Sequence, residues 1–345
     1  MGQSSCLNFL LSLVSSKFGN KNEWLKKEYD FFFEIHHLSE LALMSRKIVY
    51  LINPISGTKE KSRVKDLIIR RTKAEGIDFE IQPSRADGDY THLKKLIREK
   101  QITDVVICGG DGTLNAVASA LQGVPARIGI IPIGSGNSVA LACKIPRRPG
   151  LALDIIFKGK AYPIDAFSVN EKFSCALCGI GFDADVAHEF AKQKIRGLQT
   201  YLRISTMKFF NSKPYPFEIH AGGSVLKTEA YFISVANSNQ FGNNFTIAPQ
   251  ASMSDGLLDI VIVKKMNKVI LPFSVFLQVA GNNKLIGGIE YVEKKNIVYI
   301  QTNKISIKNP SHAPIHIDGE PVDTSAEFEI RIIPNCFKLI QPSKA

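Results

Sequence analysis

No stretch of this chain reaches the roughly 18 consecutive apolar residues that a membrane-spanning helix needs. The apolar run at residues 269–283 is shorter and is interrupted by Pro272. Six cysteines without regular spacing do not make a disulfide scaffold. The seven histidines form a single H-x-x-x-H spacing, His312 and His316, which spans Pro314 and carries no H-E-x-x-H string, so the helical ligand pair of a zinc hydrolase is missing. Neither G-x-G-x-x-G nor G-x-x-x-x-G-K-[ST] occurs, so a dinucleotide oxidoreductase and a P-loop enzyme are both disfavoured. Residues 1–14 carry a short apolar run without a basic leader, and position 6 is Cys6 where a myristoylation signal wants Ser or Thr. No export signal is read. Aromatic stacking positions and a groove-reading motif are also missing, which sets nucleic acid aside as a partner.

What is present is ordinary globular composition, 45% apolar and 22% charged, over 345 residues, enough for two domains. Lys and Arg number 43 against 32 acids, a net charge of +11. The first 43 residues hold four lysines and five acids, so the basic excess belongs to the remaining chain. Such an excess favours an anionic partner such as a nucleotide or an acidic membrane surface.

Residues 1–44 show no clear strand or cap and read as an extension, with Met44 standing where a shorter chain would start. From residue 45 to about 165 apolar strands (48–52, 79–82, 104–108, 127–132) alternate with helical segments (60–75, 90–100, 113–121), the pattern of a parallel sheet covered on both faces. From 166 to 345 short β-branched runs, among them 173–179 and 328–332, separated by turn signals predict an antiparallel β domain, with one helical patch at 185–210. The fold class expected is α/β plus all-β.

The strongest local signal is the strand that ends in Gly109, Gly110, Asp111, Gly112, Thr113, Leu114 and Asn115. Glycines there leave no Cβ between main chain and ligand, and the helix that follows offers free N–H groups and a partial positive charge to a phosphate. Asp111 would repel phosphate unless Mg²⁺ or a protonatable hydroxyl is at hand, which suggests phosphoryl transfer. Two more loops end strands of the same sheet: Asn53, Pro54, Ile55, Ser56 and Gly57, followed by Lys59, Lys61 and Arg63, and then Gly134 to Asn137. Ligands of open parallel sheets bind outside the carboxyl ends of the strands. The plainer alternative for each loop alone is a turn; the three converge on one rim.

Residues 269–280, apolar nearly all round and flanked by Lys264, Lys265, Lys268 and Lys284, read equally well as a membrane-docking helix or as a buried one. Cys175 and Cys178 are three apart on a predicted strand, face opposite sides and read as core. His316 precedes Glu320 on its strand and reads as a satisfied strand histidine, against the alternative that it tunes Glu320.

NPISG, GGDGTLN, GIIPIGSGN, GIGFD, DGLLD and HIDGE, in this order from residue 46 to about 342, resemble the diacylglycerol kinase catalytic-domain family of soluble bacterial lipid kinases, related to sphingosine and ceramide kinases. The resemblance implies an ATP-dependent lipid kinase with a nucleotide-binding domain, an antiparallel β-sandwich lipid-binding domain and a cleft between them. It implies that residues 53–57 and 109–115, with Ser84 and Ser135 where the family has Thr, surround the nucleotide. Glu320 would be the general base, with Asp111 competing for that role or organising Mg²⁺ and nucleotide. It also implies a Mg²⁺ site at Asp255 with the carbonyls of Ser252 and Leu257, against the plainer reading of an Asp-Gly turn. Ser138 follows Asn137 where many bacterial members carry Asp, which leaves the lipid, diacylglycerol or sphingoid-like, open. The implied setting is cytoplasmic with peripheral membrane association, and a homodimer is one further partner. The alternatives are an NAD kinase-like phosphotransferase and a non-catalytic nucleotide- or lipid-binding regulator.

Overall fold

The carboxyl rim of a parallel sheet and a small β-hairpin are the two elements that matter for the site, and the fold brings them together. The structure, a computed structural model, describes residues 46–52, 59–193, 198–240, 248–266, 291–294 and 296–343. The expected extension 1–44, the loop 53–57 and the apolar segment 269–280 therefore lie outside the described residues.

The first half runs β1 (Lys47–Ile52), α1 (Lys59–Ala74), β2 (Asp78–Pro83), α2 (His92–Lys100), β3 (Asp104–Gly109), α3 (Asp111–Ala120), β4 (Arg127–Pro132), α4 (Ser138–Ala142) and α5 (Pro149–Lys158). Neighbours pair in parallel in the order β2-β1-β3-β4. Strand β3 is buried along its whole length, as a continuous apolar run in a doubly covered sheet should be. At its amino end the buried carboxylate of Asp104 takes Arg127 Nη2 at 2.8 Å, a structural pair at the rim away from the glycine loops. Because β1 is followed to one side by β2 and to the other by β3, the order reverses between β1 and β3, where open α/β sheets place their ligands.

The second half comprises β5 (Lys160–Val169), β6 (Lys172–Ser174), β7 (Leu177–Gly181), α6 (Phe182–Ala191), α7 (Leu198–Asn211), β8 (Tyr215–Ala221), β9 (Ser224–Ala236), β10 (Leu258–Lys264), β11 (Tyr291–Lys294), β12 (Ile297–Thr302), β13 (Lys304–Lys308), β14 (Ile315–Ile317), β15 (Glu320–Val322) and β16 (Glu327–Gln341). All strand pairings within this half are antiparallel among the described residues. One core lines the parallel sheet, and a second, built on Phe167, Ile180, Ile233, Ile260, Ile305 and Phe328, fills the antiparallel half. The architecture is thus a parallel α/β domain followed by an antiparallel β-sandwich.

Three local expectations change and one helix is new. The helical patch at 185–210 is two helices, α6 and α7. Helix α5 had no expectation; Pro149 stands in its first turn, where Pro is well placed. The strand expected at 173–179 is split into β6 and β7, since the backbone N–H groups of Cys175, Ala176 and Leu177 turn to a side chain instead of a ladder. Finally β16 is three times the length of the expected strand. It pairs antiparallel with β5, shifts register between Ile333 and Phe337, and then pairs in parallel with β4 through Lys338 and Leu339. The bulge is filled by the Asp165 carboxylate, which accepts from Asn335 N–H at 2.7 Å.

Candidate functional site

At the carboxyl rim the ends of β1, β2, β3 and β4 are tied side by side. Ser84 N–H donates to the Ile52 carbonyl at 2.9 Å, and Ile133 N–H to the Gly109 carbonyl at 3.1 Å. Helix α3 starts at Asp111, and its first internal bond is Leu114 N–H to the Gly110 carbonyl at 3.2 Å. The N–H groups of Asp111, Gly112 and Thr113 therefore have no partner within the helix and are the free amides of its first turn. Leu114, expected around the phosphates, has its side chain in the core and its N–H occupied, so it supports the helix.

The glycines divide by purpose. A Cβ on Gly134 would lie 2.5 Å from Gly110 Cα, and one on Gly110 would lie 3.2 Å from Gly134 Cα. These two loops meet backbone to backbone, so both glycines serve loop contact rather than ligand approach. A Cβ on Gly109 would press on the Thr113 hydroxyl at 3.1 Å, whereas one on Gly112 meets nothing within 4 Å. Of the three glycines, Gly112 alone is bare toward space that the described residues leave open.

The second loop is held by Asn137, buried and at φ +59°, whose Oδ1 accepts from Gly134 N–H at 3.1 Å while Nδ2 donates to the Gly134 carbonyl at 2.6 Å. Asp111 reaches across: its Oδ2 accepts from Ser138 N–H at 3.0 Å and its Oδ1 from Val139 N–H at 3.4 Å, capping α4. The motif acid is thus a tie between two loops. Arg147 donates to the Gly136 carbonyl at 3.1 Å, adding a cation to the rim. Ser135 is exposed at the loop tip and Ser84 half-buried at the end of β2.

The other lobe supplies the hairpin β14–β15. Its two-residue turn is Asp318 (φ +49°) and Gly319 (φ +84°), the positive-φ pair that a tight hairpin requires, and Glu320 follows, exposed and paired to Ile317. The Asp318 carboxylate is clamped onto the β6–β7 bend. Its Oδ1 accepts from Ser174 Oγ (2.8 Å), Ala176 N–H (3.0 Å) and Leu177 N–H (2.9 Å), and its Oδ2 from Cys175 N–H (3.1 Å). Burial pushes the Asp318 carboxyl up from its ordinary range, and these four donors pull it back down.

The same bend receives the first lobe. Asn115 Nδ2 donates to the Phe173 carbonyl at 3.1 Å, one residue before the Asp318 clamp. The last residue of GGDGTLN and the aspartate of DGE are therefore anchored on adjacent residues, within about 10 Å of each other. Asn237 braces the bend from behind, its buried Nδ2 bridging the carbonyls of Asp165 and Cys175 at 2.8 Å each. Burial, with Asp318, Cys336 and Asp111 adding negative charge, holds the Cys175 thiol far above its ordinary value. Cys178 is likewise buried and its thiol pushed up, so the C-x-x-C pair is core, as expected.

Sequence reasoning missed Asp318, Asn137 and Asp183 as structural members of the site. All three stood inside quoted motifs, and a polar residue close to a glycine turn was the signal. His316 is buried and bonded at both ring nitrogens, to Asp183 Oδ2 at 3.1 Å and Gly319 N–H at 3.2 Å, and so is satisfied as expected.

At the segment expected to hold Mg²⁺, Asp255 Oδ1 accepts from Leu257 N–H at 3.0 Å, and Gly256 (φ +74°) donates to Asp165 Oδ2 at 2.8 Å. That is an Asp-Gly turn packed on a second acid. Burial, with the Asp165 charge adding to it, pushes the Asp255 carboxyl up. A cation would relieve this negative charge, and carboxylate plus carbonyl oxygens are what Mg²⁺ takes. Among the described residues no three His, Cys, Asp or Glu side chains cluster to bind a metal, so a cation here would lean on carbonyls and water. Nor is any described helix long and apolar enough to cross a membrane.

Residues 47–169 match the family model of the diacylglycerol kinase catalytic domain, and residues 176–341 that of the YegS C-terminal NAD kinase beta sandwich-like domain. Among similar proteins, the diacylglycerol kinase of Bacillus subtilis is 28% identical over 279 residues, covering 79% of this chain and 89% of its own. The probable lipid kinase YegS-like of Serratia proteamaculans is 26% identical over 304 residues, covering 85% and 93%. A solved diacylglycerol kinase from Bacillus anthracis shares the fold, with a TM-score of 0.64 at 19% identity over 86% of this chain and 97% of that one. With both halves matched in order around one shared bend, the chain belongs to the diacylglycerol kinase catalytic-domain family, a family of lipid kinases.

Proposed function

We propose that the chain transfers the γ-phosphoryl group of ATP to a hydroxyl of diacylglycerol or a sphingoid-like lipid, at the rim where β1, β3 and β4 end. The observation that carries this reading is the convergence on the β6–β7 bend: Asn115 of the phosphate-loop helix and Asp318 of the DGE turn are held by Phe173 and Ser174. The free amides of Asp111, Gly112 and Thr113, together with residues 53–57, Ser84 and Ser135, suit the phosphates. Asp111 organises the nucleotide loops through α4. Glu320 takes the proton of the lipid hydroxyl; that oxygen bonds to the γ-phosphorus as the bond to the β-phosphate oxygen breaks, and ADP leaves. Mg²⁺, when bound with the nucleotide, neutralises phosphate charge. The cation suited to Ser252, Asp255 and Leu257 would pin the turn before β10.

Residues 269–280 with their lysine flanks support a peripheral docking at anionic membrane, and a homodimer is compatible with it. The description of the C-terminal half as NAD kinase-like makes NAD the one soluble acceptor worth testing. Radiolabelled ATP with dispersed diacylglycerol, sphingosine, ceramide or NAD is the assay. Label in a lipid, lost in Glu320→Gln and strongly reduced in Asp111→Asn, is expected. Label in NAD alone, or full turnover by Glu320→Gln, would overturn the reading.

A further inference from the structure

The hairpin that carries Glu320 has a second anchor besides Asp318, and it is buried. Gly319 N–H donates to His316 Nδ1 at 3.2 Å. A backbone N–H can only donate, so Nδ1 accepts and the ring proton resides on Nε2. That nitrogen in turn donates to Asp183 Oδ2 at 3.1 Å. A chain of two hydrogen bonds thus runs from the first turn of α6 to the residue just before Glu320.

The fold builds room for this chain. Ile315 and Ile317 enter the sandwich core, so the two-residue period of β14 sends His316 to the opposite face, where α6 packs on β14 and β15. Gly179 sits across from His316 in β7. A Cβ there would lie 2.1 Å from Asp183 Oδ2 and 2.5 Å from His316 Nε2. The first glycine of the GIG string is therefore explained by the pair. His316 and Asp183 are 1% and 5% exposed, and a buried polar or ionic pair seldom outdoes well-packed apolar residues in stability. Its direct bond to the turn N–H points instead to orientation.

We propose that Asp183 and His316 are positioning residues that fix the Asp318–Gly319 turn and so aim the Glu320 carboxylate at the lipid hydroxyl. This rests on Glu320 as the base. His316→Phe, which breaks both bonds, lowers kcat roughly ten- to a hundredfold, with KM for ATP and lipid changed by less than about twofold. His316→Asn, whose Oδ1 still accepts from Gly319 N–H, and Asp183→Asn, which still accepts from Nε2–H, retain most of kcat. In a Glu320→Gln background His316→Phe has no further effect.

An unchanged kcat in His316→Phe, or an equal loss in the Glu320→Gln background, would refute positioning while leaving the base in place. Wild-type turnover by Glu320→Gln would remove the base and this proposal with it. His316→Gln covers the case in which the Phe variant does not fold. It keeps a donor toward Asp183 and lacks the acceptor at the Nδ1 position, so exchange of the Gly319 amide speeds up at least tenfold without any substrate present. Unaltered exchange there overturns the proposal.

Discussion

Alanine placed at Gly112 and at Gly134, one at a time, separates a glycine kept for a ligand from one kept for the fold. At Gly134 the added methyl would lie 2.5 Å from Gly110 Cα, 3.0 Å from Asn137 Oδ1 and 3.1 Å from Gly110 N. Carbon–carbon contact needs about 3.5–4.0 Å, so the two loops must part by about 1 Å, and the nearest atoms are backbone. Overpacking of this kind costs about 1–3 kcal/mol, and the Asp111 bonds to α4 cross the same seam. At Gly112 the added methyl meets nothing within 4 Å beyond its chain neighbours and the backbone of its own helix. The position is in the first turn of α3, where Ala is favoured over Gly by up to about 1 kcal/mol. Gly112→Ala therefore melts at or slightly above the wild-type temperature. On the proposed phosphate site its methyl would crowd the bound phosphate, so calorimetric ATP affinity is expected to drop tenfold or more, about 1.4 kcal/mol. Gly134→Ala loses melting temperature first. Wild-type ATP affinity in Gly112→Ala would refute the phosphate reading of that amide, and an unchanged melt in Gly134→Ala would refute the loop contact.

Asp318→Asn keeps one acceptor oxygen and turns an NH₂ toward the Cys175 N–H, a donor facing a donor. It should cost about 1–3 kcal/mol in denaturant melts and lower kcat; a variant as stable as the wild type would discount the clamp. Lys308, Lys227 and His220, in that order, hold the half-buried Glu218 carboxyl at about 2, below its ordinary 4.5. A depressed acid stabilises the fold above its unfolded value, and that contribution is lost as pH falls from 4.5 toward 2. Glu218→Gln should therefore flatten the curve of melting temperature against pH over that window, less so near 1 M NaCl; curves of identical shape would contradict it. Added Mg²⁺ should raise the melting temperature of the wild-type chain and not of Asp255→Ala, and equal shifts would place the cation elsewhere.

Much of this molecule was legible because its cues are local. Period and strand-ending glycines mark β1 to β4, and motif order marks both halves. What escaped is non-local. Nothing in residues 173–179 says that their N–H groups will turn to Asp318, some 140 positions later, and so one strand was expected where two stand. The glycines of GGDG read as bare toward a ligand, yet Gly110 answers to Gly134, a contact visible only once two loops face each other. Asp111 reads as an acid among phosphates, and its partners are amides of the next helix. The return of β16 to the parallel sheet depends on a bulge filled by Asp165, which no alternation of residues within β16 encodes.

The most direct measurement is a crystal structure with a non-hydrolysable ATP analogue, Mg²⁺ and a short-chain diacylglycerol. The terminal phosphate is expected against the amides of Asp111, Gly112 and Thr113, with a Glu320 oxygen about 2.6–3.2 Å from the lipid hydroxyl. A nucleotide bound away from those amides, or a lipid hydroxyl beyond the reach of Glu320, would contradict the account.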